Sequence, residues 1–279
     1  MATYYISVSG SNGNPGTLAS PWATLAYAYD TSTTDDTLHL MAGTHTFVSD
    51  TLTSRTIEGD SATTTIVDGG GAGELRWSVG EVTIQDLTFT NMKRTASLSQ
   101  MPPFSCFTNS VFNRVIVHNI EVGGGNHNYA GYGVWNGSDS TSMTLNGCLI
   151  YNIKKGASTY AAIMSATNTA DPDMTFRNCT IEVENISTLA LTHIVANNQQ
   201  YSSKTPTFTN CIIYNSTGGA VDVSEANRFS STYTCWRGTF NEAVTGTGNI
   251  TSDPLFIDAA NRDYRLRPAS GCIDSGVMI

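Results

Sequence analysis

The sequence predicts an all-β solenoid, a single rod of short strands coiled around one interior. Three observations predict it. A motif recurs at Asp86–Asn91, Arg114–Asn119, Asn146–Asn152, Arg177–Val183 and Thr209–Asn215, with equivalent positions 87, 115, 148, 179 and 211. Steps of about thirty residues without an intervening amphipathic helix describe stacked supersecondary units. A second column of strand-like runs keeps nearly the same period: Leu75–Val79, Phe104–Phe107, Tyr132–Trp135, Ala161–Met164, Thr192–Val195 and Ala220–Val223. Gly, Asn, Ser and Thr fill the gaps between the columns, as turns require.

Each element follows from local chemistry. Residues 1–36 are expected to supply a first strand and a capping helix. Ser20 is the expected N-cap and Pro21 the first helical residue, with Trp22, Leu25, Ala26 and Tyr29 on the face that plugs the first coil. Residues 37–237 form the coils, roughly seven or eight of them at about 4.8 Å per coil. Within them Cys148, Cys179 and Cys211 fall at one repeat position. They are expected to be free thiols in a tight inward column, because Cys is small and apolar. Asn91, Asn119, Asn152 and Asn215 follow their strands at one offset. They are expected to occupy turns, where Asn tolerates left-handed backbone. From about residue 238 the repeat is lost, and residues 238–279 are expected to wrap over the last coil as a cap against edge exposure. The chain reads as one domain, 1–279.

Composition excludes several classes. Charged residues are 13%, about half the globular average of roughly 25%. That is too low for a disordered chain or a helical bundle. The net charge of -9 speaks against nucleic acid as a partner. No run reaches the roughly 20 apolar residues of a membrane span. Met1–Tyr5 shows neither a basic region nor an apolar core, so no secretory leader is visible.

At two places the sequence resembles a known family. Tyr4–Ser7, Gly10–Thr17 and Pro21–Leu25 resemble the opening of right-handed parallel β-helix proteins of the pectate-lyase-like superfamily. Asp253–Asp258, Asp263–Pro268 and Cys272–Gly276 resemble their closing segment. The resemblance implies a right-handed parallel β-helix with an N-terminal helical cap and a wrapped C-terminal segment. It also implies a polysaccharide partner bound along one strand face, in an extracellular or virion-associated protein. A virion spike of this kind would be a homotrimer.

The second column carries candidate residues. Alternation places Trp135, Met164, His193 and Asp222 in one outward row on successive coils. His193 beside Asp222 is a pair suited to acid–base chemistry near neutral pH. Glu225 adds a second carboxylate, and Asp222 with Glu225 would serve hydrolysis. Trp135 and Tyr160 are candidate sugar platforms, and the glycine-rich stretch 123–131 carries His127 and Tyr129. Lys93–Arg94 and Lys154–Lys155 follow Asn91 and Asn152 at the same offset, with Glu121 between them in the stack. This cluster suits neutralisation of a uronate, and a salt-bridge ladder is the plainer alternative. Asp171 and Asp173 are weak ligands for calcium, the one cofactor considered. The residues leave binding alone and cleavage both open. If the chain cleaves, β-elimination with His193 as base and Lys154 or Lys155 neutralising the uronate is favoured over hydrolysis. The competing class is a non-catalytic tail-fibre, tailspike or adhesin module.

Overall fold

The structure, a computed structural model, describes residues 1–46, 50–71, 75–93, 104–106, 109–122, 135–137, 142–155, 161–166, 173–183, 192–197, 206–216, 221–222, 229–240 and 244–277. For strand residues 50–53, 75–80, 93, 104–106, 122, 135–137, 154–155, 161–166, 192–197 and 221–222 it gives backbone pairing alone.

The chain is a right-handed parallel β-helix. Strands pair in parallel with their counterparts one coil on, in a 14-stranded sheet and an 8-stranded sheet. The larger sheet has two arms that diverge from the long strand Leu75–Gln85. A leading arm runs through Phe104–Cys106, Trp135–Gly137, Ala161–Ala166, Thr192–Asn197 and Val221–Asp222. A middle arm runs through Ser110–Asn113, Ser142–Asn146, Asp173–Arg177, Thr207–Thr209 and Ser230–Thr232. The 8-stranded trailing sheet runs from Gly43–Thr46 to Cys235–Arg237 and holds the first repeat column. The middle arm is a third strand per coil, beyond the two columns legible in the sequence.

The sharp corner between middle arm and trailing sheet explains the repeat. It is turned by one residue with positive φ in six successive coils: Asp86, Arg114, Gly147, Asn178, Asn210 and Tyr233. A left-handed residue reverses direction in minimal length. The following residue points inward, and there Leu87, Val115, Cys148, Cys179 and Cys211 are buried. The three cysteines are free thiols. Each donates to a carbonyl one coil back: Cys148 to Phe112 at 3.5 Å, Cys179 to Leu145 at 3.4 Å and Cys211 to Phe176 at 3.5 Å. The Cys179 thiol and burial raise Cys148, and burial with the Cys211 thiol raises Cys179, both far above the usual range.

The interior is built from two registered rows. Leu38, Ile57, Ile84, Phe112, Leu145, Phe176 and Phe208 stack along the middle arm, each at most 2% exposed. Val67, Phe89, Val117, Ile150, Ile181, Ile213 and Trp236 face them from the trailing sheet, each at most 3% exposed. Burying one such side chain contributes roughly 1.5–3 kcal/mol.

The N-terminal cap differs from the sequence expectation. Helix α1 spans Leu25–Thr31, and its N-cap is Thr24, whose Oγ1 accepts from the Tyr27 amide at 3.2 Å. Pro21 and Trp22 are instead extended beside the first strand. The Trp22 amide donates to the Tyr5 carbonyl at 2.9 Å, and the Ser7 amide donates to the Trp22 carbonyl at 2.9 Å. These long-range backbone bonds outweigh the local helix signal of Ser20–Pro21. Leu25, Ala28 and Tyr29 form the buried face, and Ala26 is exposed.

At the other end the trailing sheet finishes with Cys235–Arg237. An antiparallel hairpin of Phe256–Asp258 and Asp263–Leu266 then packs back on its outer face. Tyr264 lies 5.6 Å from Tyr151, and Phe256 lies 5.5 Å from Tyr214, between ring centres.

Candidate substrate cleft at a sheet corner

The trailing sheet presents an outer row of Asp68, Thr90, His118 and Tyr151 in register. The C-terminal hairpin covers its far part and reaches Tyr151 through Tyr264. His118 stacks on Tyr151 with ring centres 4.8 Å apart and planes 3° apart. Its Nδ1 is 3.3 Å from Thr90 Oγ1. Burial lowers the His118 pKa, which favours the neutral ring.

Beyond Asp68 the row opens into a cleft of about 370 Å³ lined by Asp68, Gly70, Asn91, Met92, Asn119 and Glu121. Asp68 ends its strand in a turn of Gly69–Gly71. Gly70 and Gly71 take φ of 61° and 77°, a conformation that favours glycine. The Gly70 amide donates to Asp68 Oδ1 at 2.7 Å, and Asn91 Nδ2 donates to Asp68 Oδ2 at 3.0 Å. Asn91, Asn119 and Asn152 have φ of 53°, 54° and 52°, the left-handed turn column expected from the repeat. Their side chains link coils: Asn119 Nδ2 donates to Thr90 Oγ1 at 3.3 Å, and Asn152 Nδ2 donates to Asn119 Oδ1. Asn215 departs from this column. It is 5% exposed, and its Nδ2 donates to the Thr239 carbonyl at 2.7 Å.

The row that contains the expected basic residues meets the cleft through Glu121. Glu121 is in register with Lys93 on one side and Lys154 on the other, and Val122 is in register with Lys155. The strand Leu149–Lys155 ends at the corner that leads to Ala161–Ala166 in the leading arm. There Ala161 is in register with His193, and His193 with Asp222. Lys154, Lys155, His193 and Asp222 therefore flank one corner of the coil, on neighbouring coils.

The expected outward row of Trp135, Met164, His193 and Asp222 is corrected. Trp135 pairs with Phe104 and Met164, and Met164 pairs with Val195. His193 belongs to a second row with Ala161 and Asp222. The Trp135–Met164 row meets the next strand at Val195, two residues past His193. Trp135, in register with Phe104, also stands three residues from where the sequence alignment of the column put it. Asp173 is exposed at the start of Asp173–Arg177. Arg94, His127, Tyr129, Tyr160, Asp171 and Glu225 lie outside the described residues. Among the described residues, no cluster of three His, Cys, Asp or Glu side chains is arranged to hold a metal ion.

Sequence reasoning missed Asp68 and His118. The signal for Asp68 was the Gly69–Gly71 run behind it, and for His118 its place one residue before Asn119 in the repeat.

Fold and corner together define the chain as a right-handed parallel β-helix with a cleft beside the registered row Lys93, Glu121 and Lys154. No protein-family model matches the chain, and no curated protein matches it. Among solved structures it is similar to a pectin methylesterase in complex with hexasaccharide VII, at 12% identity and TM-score 0.50, over 88% of this chain and 80% of that one. It is also similar to pectin methylesterase PemA from Erwinia chrysanthemi, at 12% identity and TM-score 0.49, over the same 88% and 80%. A rhamnogalacturonan lyase aligns at 13% identity and TM-score 0.48, over 87% of this chain and 75% of that one. The likeness at TM-score 0.50 and 12% identity shows the fold alone and leaves the chemistry to the site. Among the described residues no helix is long and apolar enough to cross a membrane.

Proposed function

We propose that this protein recognises an extracellular polysaccharide at the corner between trailing sheet and leading arm, and that it cleaves a uronic-acid-containing glycan there by β-elimination. The observation that carries the reading is the register Lys93–Glu121–Lys154 beside the open cleft. Carboxamides and carboxylates such as Asn91, Asn119 and Asp68 suit sugar hydroxyls, because each offers donors or acceptors in fixed positions. The hexasaccharide bound by a protein of this fold supports a glycan as the ligand class.

In the proposed reaction Lys154 or Lys155 neutralises the uronate, which acidifies the proton on the adjacent carbon. His193, oriented by Asp222, removes that proton. The glycosidic oxygen leaves with a proton from solvent, and a carbon–carbon double bond forms in the sugar. Arg94, His127, Tyr129, Tyr160 and Trp135 extend the substrate surface in this reading, and Asp222 with Glu225 would carry hydrolysis instead. Asp171 and Asp173 would hold calcium if the reaction needs it.

The amide-rich character of the cleft favours a second reading, a non-catalytic recognition module of a virion spike or adhesin. One experiment separates them. The protein is incubated with uronic-acid and neutral polysaccharides, with and without calcium, while near-ultraviolet absorbance of unsaturated sugar and reducing ends are followed together. Absorbance on one polymer, lost in His193→Ala and Lys154→Ala, establishes the lyase. Reducing ends without absorbance indicate hydrolysis. Silence in both, with glycan binding retained, leaves the recognition module, and its mass in solution then tests the trimer.

A further inference from the structure

The thiol column ends one coil before the last. Its next place is taken by Thr234, whose Oγ1 donates to the Phe208 carbonyl at 3.5 Å, as the Cys211 thiol donates to the Phe176 carbonyl. Cys235 therefore stands one residue further on, in the outer row, in register with Ile212 and Thr180. An outer residue of the last coil would ordinarily be open to water, yet Cys235 is 3% exposed.

The closing segment covers it. Asn210 holds the tail at two points: its Oδ1 accepts from the Val277 amide at 2.9 Å, and its Nδ2 donates to the Val277 carbonyl at 2.6 Å. Cys272 lies in the same segment and is partly exposed. Cys235 and Cys272 line one cleft of about 430 Å³, and the Cys235 thiol donates to the Ser252 carbonyl at 3.3 Å. Both are free thiols in this structure.

We propose that Cys235 and Cys272 are a redox pair, which a small disulfide such as glutathione disulfide oxidises to a bond stapling the C-terminal segment to the last coil. Exposure fixes the order of events. Cys272 is the attacking group, because it is reachable and the neighbouring Cys235 thiol lowers its pKa below the usual thiol range. The neighbouring Cys272 thiol, together with burial, raises Cys235. The Cys272 thiolate attacks one sulfur of glutathione disulfide. The oxidant's sulfur–sulfur bond breaks, a mixed disulfide forms at Cys272, and one glutathione thiolate leaves. Cys235 then gives up its proton and attacks the Cys272 sulfur, releasing the second glutathione. Two protein thiols lose two electrons and two protons, and one glutathione disulfide becomes two glutathione thiols.

The test is intact mass and peptide mapping after treatment with glutathione disulfide at neutral pH and a denaturing alkylation quench. Wild type is expected to lose two hydrogen masses and to give one cross-linked peptide joining Cys235 to Cys272. Cys235→Ser is expected to stop at a glutathione adduct on Cys272. Cys272→Ser is expected to show neither adduct nor cross-link at these positions. A stable adduct on Cys272 in wild type, a disulfide to any other cysteine, or an unreacted wild type under conditions that modify Cys235→Ser would overturn the proposal.

Discussion

Glu182 is 2% exposed and makes an ion pair with Arg262, which ties the C-terminal hairpin to the trailing sheet. Arg262 also donates to the Tyr264 hydroxyl at 3.3 Å and lies 5.9 Å from the Tyr151 ring centre. Removing one partner of a buried pair leaves the other charge desolvated. Arg262→Met is therefore expected to cost about 3 kcal/mol. The double variant Arg262→Met with Glu182→Gln should recover part of the loss. Urea unfolding of the three proteins checks it, and equal stability of wild type and Arg262→Met would refute the role.

Phe176 and Phe208 stack in the interior with ring centres 4.7 Å apart and planes 14° apart. Each is at most 1% exposed. Truncating either to Ala removes the transfer energy and leaves a cavity, so a loss of about 3–5 kcal/mol is expected. Phe176→Leu should lose distinctly less. Chemical denaturation of both variants reads the difference.

His39 has both ring nitrogens on carboxylates, Nδ1 at 2.9 Å from Glu58 and Nε2 at 2.7 Å from Asp60. Ionised carboxylates only accept, so this geometry wants the imidazolium. Burial lowers the His39 pKa, but the hydrogen bonds and charges of Glu58 and Asp60 outweigh it and the net shift is upward. The hydrogen bond with His39 lowers Asp60. The stabilisation from His39 is thus complete below its unfolded value of about 6.5 and is lost as pH rises through its folded value. That from Asp60 is present above about 4 and is lost as pH falls through its lowered folded value. Thermal midpoints are expected to fall on the alkaline side of the His39 titration, and His39→Gln should flatten that limb. An unchanged limb in the variant would remove His39 as its source.

Asn152 has φ of 52°, and its side chain donates to Asn119. Asn152→Ala keeps the left-handed backbone without that support. It is expected to destabilise by about 1–2 kcal/mol, the cost of left-handed backbone for an ordinary residue. Asn152→Gly relieves the backbone cost and should lose less. Equal losses for the two variants would show that the side-chain bond alone matters.

Much of the fold was legible because a solenoid repeats its constraints. Each coil needs an inward apolar residue after a left-handed corner, so Cys148, Cys179 and Cys211 recur, and Asn91, Asn119 and Asn152 recur at the second turn. Parallel stacking then carries Lys93, Glu121 and Lys154 into one row, which offset alone revealed. By itself the sequence determined the solenoid, its first column, its inward thiols and this row.

Tertiary structure decided the rest. The helix start moved to Thr24 because Trp22 pairs with the first strand, a contact between distant segments that local propensity does not register. Trp135 was separated from His193 because backbone pairing sets Met164 against Val195, two residues past His193, a register that the period does not specify. The C-terminal hairpin covers the outer row at Tyr151, whereas Asp68, at the other end of that row, lines an open cleft with Asn91, Asn119 and Glu121. Repeated local geometry is written in the period of the chain. Which part of a repeated face stays exposed depends on where the non-repeating ends fold back, and those contacts exist only once the rod has formed.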